Sequence, residues 1–468
     1  MKPSTRHFGI AALGLLAACS SPTKPVPDER KPVRLITLDP GHFHAALVQK
    51  KMYDRVDSVV HVYAPAGPDG PEHLKRIEGY NARPEAPTRW WEETYVGADY
   101  LEKMRREKPG NVVVISGNNR KKTEYIQQSV NAGLHVLADK PMCIDSAGFV
   151  RLREAFQTAA RNRTLLYDIM TERSEITTVL QRELSRIPAV FGALQQGSPA
   201  DPAVTKESVH HFFKYVSGSP LKRPAWFMDV AQQGEGLVDV TTHLVDLVQW
   251  ACFPEQPLDY RKDVAVITAR HWPTRMSRGQ FARLTQLPDF PDFLRKDLVD
   301  DSVLNVYSNG EITYQLRGVH ARVSVTWNYQ APEGAGDTHF SVMKGSAAHL
   351  VIRQGAAEKY VPQLYIEPVG ADLATGYEAA LTGAFETLKR TYPGVELARR
   401  ANGWQVVIPE VYRTGHEAHF AEVTERFLRY LAAGKLPDWE VPNVIAKYYT
   451  TTRALALARE NGKKVSLK

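Results

Sequence analysis

From Val33 onward, apolar runs of strand length alternate with amphipathic stretches of helix length. VRLITL leads into HFHAALVQKKMY, which reads as a helix. SVVHVYAP is a second strand, DYLEKMRREKP a helix, NVVVISG a buried strand, KKTEYIQQSVNAG a helix and HVLADKP another strand. This rhythm predicts a doubly wound parallel α/β sheet with helices on both faces, its strand ends lined up along the edge where such sheets take nucleotides. Gly133 suits a helix C-cap, and Gly117-Asn118-Asn119 a loop that ends a strand. Between Pro65 and Glu93 the rhythm breaks into loop-forming composition. Trp90 and Trp91 there read as buried anchors for a long loop, in preference to a sugar-stacking platform.

The pattern changes in the second half. TLLYDIMTERSEITTVLQREL, residues 164–184, reads as a crossover from strand into helix. QQGEGLVDVTTHLVDLVQW, residues 232–250, places Asp239, His243 and Asp246 at i, i+4 and i+7, on one helical face. A carboxylate one turn from a histidine orients it and stabilises its protonated form, which suits a general base; the same face also serves as a structural hydrogen-bond pair. DDSVLNVYSNGEITYQLRGVHARVSVTWNY alternates with period two and is expected to turn at Asn309-Gly310, as antiparallel strands do. The last fifty residues read as a helix, a proline-broken loop and a second helix.

Composition narrows the class. The 468 residues, 43% hydrophobic and 24% charged, suit two or three packed domains and exclude whole-chain disorder. The start differs: Lys2 and Arg6 precede the apolar run Ile10 to Ala18, as in a secretory signal. LAAC, Leu16 to Cys19, resembles a bacterial lipobox, which implies a signal peptide of residues 1–18 and a mature chain lipidated at Cys19. Residues 19–32, proline-rich and charged, are the expected tether. STRHF, Ser4 to Phe8, resembles a twin-arginine signal with Thr5 in place of the first arginine. The net charge of +7 is spread along the chain, and loses Lys2 and Arg6 with the signal, so nothing marks a nucleic-acid site. Cys143 and Cys252 read as two buried thiols in different domains.

Two motifs carry a resemblance. NAGLHVLADKPM resembles the signature of the Gfo/Idh/MocA oxidoreductases, with Asp139-Lys140-Pro141 where the family has Glu-Lys-Pro and Asn119 on the asparagine of its turn. The segment from Gly234 resembles the family's G-G-x-L-x-D-x-G-x-H-x-x-D: Gly234, Gly236, Leu237, Asp239, His243 and Asp246 match, while Glu235 and Thr241 replace glycines. The resemblance implies a Rossmann-type domain over residues 33–165 and an α+β domain over 166–468 with an open, mostly antiparallel sheet. It implies tightly held NAD or NADP contacted by Gly41, His42, Phe43, Asn119, Asp139, Lys140 and Pro141. Catalysis falls to Lys140, Asp239 and His243, with His243 taking the hydroxyl proton and Lys140 steadying the oxygen.

The expected activity is that of a lipid-anchored sugar oxidoreductase, oxidising a carbinol such as C3 of a glucoside. The alternatives are a retained-NAD glycosidase that oxidises, eliminates and re-reduces, and a non-catalytic sugar-binding lipoprotein. The expected partners are a small carbohydrate or glycoside, a membrane through the lipid alone and a second copy of the chain; the expected location is the outer membrane, facing the periplasm. His211, Lys214, Asp246, His416 and His419 are candidate substrate contacts. HEAH at 416–419 is not the HExxH zinc signature, and no metal is assigned. Laid on G-x-G-x-x-G, DPGHFH keeps only the middle glycine, Gly41, between Asp39 and His44. HVYAPAG shows no ribose-binding acid, which leaves NAD against NADP open.

Overall fold

The computed structural model describes residues 32–216, 219–370 and 376–466; Cys19, the lipobox, the twin-arginine-like segment and nearly all of the tether lie outside them. Strands β1 (Leu35–Leu38), β2 (Val59–Ala64), β3 (Trp91–Val96), β4 (Val112–Ile115), β5 (His135–Asp139) and β6 (Leu166–Ile169) form one sheet in the order 3-2-1-4-5-6. Every neighbouring pair is parallel. The inner strands are almost wholly apolar because both faces are covered. Ile36, Leu38, Val113 and Val136 face one core; Leu35, Val60, Val114 and Leu137 face the other. The strand order reverses between β1 and β4, so the loops after these two strands flank the crevice that such sheets use for ligands.

Two stretches depart from the sequence expectation. Of HFHAALVQKKMY only α1 (His44–Leu47) is helical, a single turn. The expected long loop holds α2 (Asp69–Ala82) and the edge strand β3. Only Gly70, His73 and Ile77 of α2 are buried, too thin an apolar stripe to announce a helix. Trp90 is a buried anchor whose indole N–H donates to the Gln49 carbonyl at 2.6 Å. Trp91 opens β3 opposite Val59, at the amino end of the strands and so away from the crevice.

The first domain continues through α3 (Tyr100–Glu107), α4 (Lys122–Asn131) and α5 (Ser146–Asn162); Gly133 follows α4 with a left-handed φ of 79°. The crossover from β6 enters a helix at Ile176–Ser185. Beyond it lies a ten-stranded sheet whose long strands are Val264–Ser277 at one edge, then Val303–Leu316, Val319–Gln330 and Val204–Phe213. Its pairs are antiparallel except for Val204–Phe213 with Val319–Gln330.

The expected turn at Asn309-Gly310 is absent: Val303–Leu316 runs straight through it, and the hairpin turns at Arg317-Gly318, with φ of 48° and 83°. Asn309 and Gly310 serve packing instead. A Cβ on Gly310 would stand 2.5 Å from Leu237, and Asn309 accepts the Trp327 N–H at 2.6 Å.

The chain closes on the first domain. The helix His416–Ala433 packs Phe420, Val423 and Phe427 on one face of the parallel sheet, and the helix Glu440–Ser466 packs Val444 and Tyr448 on the other. No helix among the described residues is long and apolar enough to cross a membrane. Cys143 and Cys252 are free thiols.

Candidate active site at the crevice

The loop after β1 is bent by contacts rather than by glycines. Asp39 takes a left-handed φ of 47°, and its carboxylate accepts from the Tyr125 hydroxyl of α4 at 2.7 Å. Gly117, ending β4, lies so close that a Cβ there would stand 2.2 Å from the Asp39 carbonyl oxygen. Only glycine permits this approach of the two loops. A Cβ on Gly41 would stand 2.9 Å from the Asp69 carboxylate and 3.4 Å from the Trp226 indole, so protein groups already line the glycine that survives from the nucleotide motif. Burial and the nearby Asp39 push the Asp69 carboxyl up to about 6, and burial raises Asp39 as well.

The third position of that motif, His44, points across the sheet edge. Its Nδ1 lies 2.9 Å from Asp139 Oδ2, which also accepts from Ser116 Oγ at 3.0 Å, and His42 Nδ1 lies 3.9 Å away. Burial lowers both histidines, so the imidazoles are neutral. Against the upward push of burial, His44 and the Lys122 ammonium hold Asp139 well below the usual carboxylate range. Lys122 itself, buried, donates to the Asp139 carbonyl at 3.0 Å and is lowered to about 8. The rings of His42, Phe43 and His44 form a triangle: Phe43 is 4.7 and 4.4 Å from the two imidazoles, which are 4.0 Å apart.

One residue on, Lys140 precedes Pro141 through a cis peptide and reaches into the second domain, where its Nζ lies 2.6 Å from Asp239 Oδ1. Burial opposes the charge, but Asp239 and Asp139 raise Lys140 above its ordinary value. Asp239 stands in the turn just before the helix Thr241–Cys252. That turn is pressed onto the second sheet: a Cβ on Gly236 would stand 2.0 Å from the Ser308 carbonyl oxygen. Glu235 anchors it by accepting from Arg459 at 2.8 Å and pairing with His271 at 2.5 Å.

His243, in the first turn of that helix, is buried, and its Nδ1 has no hydrogen-bond partner. Desolvation, then the charge of Lys140, holds it well below its usual value, hence neutral. The expectation that Asp239 orients His243 fails, because the Asp239 carboxylate is committed to Lys140.

The other candidates separate. Asp246 is not a substrate contact: it lies in a buried charge network, bidentate to Arg173 at 2.6 and 2.7 Å and 2.9 Å from Lys447. Arg173 also binds Glu440 at 2.8 Å, and Lys447 binds Asp168 at 2.8 Å. Tyr448 ties this network to the site, donating to Asp168 and accepting the Met142 N–H, each at 2.9 Å. His211 and Lys214 converge on Asp337, at 2.9 Å each. His416 stacks near His44, ring centroids 5.1 Å apart, whereas His419 bonds Thr414 at 3.1 Å, so the two do not converge on one point. Asn119 donates to the Gln233 carbonyl at 2.7 Å across the domain boundary, leaving its Oδ1 buried and unpartnered.

Composition and periodicity left Arg173, Lys447, Asp168, Glu440, Asp69 and Asp337 unnoticed. Their available signal was charge inside apolar runs: Asp168 in LLYDI and Lys447 in VIAKYY.

A 3-2-1-4-5-6 parallel sheet, an open mostly antiparallel second sheet, and a lysine-proline turn joined across the crevice to an aspartate define a Gfo/Idh/MocA-type oxidoreductase frame. Residues 180–459 match the family model "Putative oxidoreductase C terminal domain", and the chain belongs to that family. A protein described as a putative oxidoreductase from Parabacteroides merdae ATCC 43184 is 58% identical, with a TM-score of 0.91 over 92% of this chain and 98% of its own. Levoglucosan dehydrogenase in complex with NADH and levoglucosan shares the fold at 12% identity, TM-score 0.57, covering 92% of this chain and 97% of its own. A 3-ketoreductase from Actinomadura kijaniata with NADP and TDP-benzene does so at 13% identity, TM-score 0.53, covering 91% and 97%. No curated protein matches the chain.

Proposed function

We propose that this chain is a nicotinamide-dependent oxidoreductase acting on a carbinol of a carbohydrate or glycoside. One observation carries the reading: Lys140 and Asp239 meet at 2.6 Å across the crevice, beside a neutral histidine with an unpartnered ring nitrogen. The orphaned His243 Nδ1 and Asn119 Oδ1 suit a bound cofactor and substrate, since buried polar atoms are rarely left unpaired. Gly41, His42, Phe43, Asn119, Asp139, Lys140 and Pro141 would hold NAD or NADP. When bound, the nicotinamide ring supplies the hydride acceptor.

The chain's own residues do the rest. The neutral His243 accepts the hydroxyl proton at Nδ1. The Lys140 ammonium donates to the substrate oxygen as the C–H bond breaks, and Asp239 keeps that ammonium charged and aimed. Levoglucosan dehydrogenase among the fold relatives, with levoglucosan bound, favours a carbohydrate. We place the enzyme in the envelope as a lipoprotein anchored through Cys19, on the strength of LAAC.

The test is product mass after incubation with NAD or NADP and simple glycosides. An intact keto-glycoside, lighter by two hydrogens, is expected. Release of aglycone alone would favour the retained-cofactor glycosidase, and binding without conversion the sugar-binding lipoprotein.

A further inference from the structure

We propose that His42, His44 and Asp139 form a binding site for one divalent transition-metal ion of the zinc class. Each offers one ligand atom, and these atoms lie within 4.8 Å of one another; it is the one such group of His, Cys, Asp and Glu found among the described residues. The site goes beyond the hydride-transfer reading, which gives His42 and Asp139 to the dinucleotide and assigns no metal.

The residues are prepared for the role in position. The left-handed Asp39 and its contact with Gly117 turn the loop so that residues 42 and 44 both face Asp139. His44 is backed by the Phe420 ring, 4.5 Å between centroids, with His416 beside it. Ser116 Oγ donates to the Asp139 carboxylate and Lys122 Nζ to the Asp139 backbone carbonyl, the kind of outer contact that orients a metal-binding carboxylate.

The donor set names the ion class. Two imidazoles with one carboxylate suit zinc, cobalt, iron or manganese, whereas magnesium and calcium prefer all-oxygen shells. Three protein donors leave a coordination position for water or a substrate oxygen, and Lys140 is the next residue. A bound dication would also offset the Asp39 and Asp69 carboxyls beside Gly41.

The competing description is a bare His44–Asp139 hydrogen bond, and titration separates the two. The chelator-stripped chain, titrated with Co2+ by calorimetry and visible absorption, is expected to take up one ion per chain, displaced by Zn2+ and not by Mg2+ or Ca2+. His44→Gln and His42→Gln should each weaken binding by at least ~10- to 100-fold. His42 lies at the partly exposed rim, so its variant keeps the test open if changes at His44 or Asp139 prevent folding. Absence of stoichiometric uptake, equal displacement by Mg2+, or unchanged affinity in a folded His42→Gln chain would overturn the proposal. Dinucleotide binding is read in a separate titration, so failure of the cofactor reading and failure of the metal site give different results.

Discussion

Asp239 and Asp246 stand seven residues apart in one segment and are expected on one helical face, yet they belong to different machinery. Asp239 sits in the turn before the helix and faces Lys140 across the crevice, beside the orphaned Nδ1 of His243. Asp246 is inside the helix, where Arg173 and Lys447 use both of its oxygens. One aspartate meets a single cation across the crevice; the other has both oxygens taken by two buried cations. What separates the two is where the partner comes from: Lys140 reaches Asp239 from the other domain across the crevice, whereas Arg173 and Lys447 close on Asp246 within the packed interior.

Removing the reactive cation tests that contrast most severely. Lys140→Met is expected to lower kcat/KM for glycoside oxidation by ~100- to 10,000-fold, read by nucleotide reduction, while the purified variant still unfolds cooperatively. Asp246→Ala is expected to do the reverse. It leaves Arg173 and Lys447 buried beside a missing partner and should cost about 3–5 kcal/mol in urea denaturation, with kcat/KM per folded molecule little changed. Equal loss of turnover in both variants would dissolve the distinction.

Smaller effects sharpen it. Gly310→Ala forces a methyl against Leu237 under the Asp239 turn and should cost about 1–3 kcal/mol, read as a lower melting temperature. The mildest expected effect concerns Asp69, beside Gly41. Raised to about 6, this carboxyl is neutral below that pH and ionised above it, so a phosphate-bearing nucleotide should bind more weakly as pH rises through 6. The change should be about tenfold at most and should flatten in Asp69→Asn, by fluorescence titration.

Much of the frame was legible in the chain. Short apolar strands alternating with helices declared the parallel sheet, because both-faced burial writes itself as unbroken Val, Ile and Leu. Lys140, Asp239 and His243 were singled out because two motifs a hundred residues apart agreed, and the fold brings Lys140 and Asp239 together. What escaped was decided by contacts between distant segments. Asn309-Gly310 has the composition of a turn, but Leu237 packs on that glycine and the strand continues. Helix α2 hid behind Gly70, Pro71 and Gly79 and a sparse apolar face. His44 looked like a lost glycine until Asp139, ninety-five residues later, stood opposite its ring. Arg173, Asp168 and Lys447 carry no spacing signal, since they meet only when the last helix returns to the first domain.

That return makes the edge of the first domain depend on a distant element. Tyr448 and Lys447 secure the backbone beside Lys140 and the end of β6, so a chain whose helix Glu440–Ser466 has not docked has a first domain without the clamp behind Lys140. Completion of the crevice therefore waits on a long-range docking event, and not on folding of the parallel sheet alone.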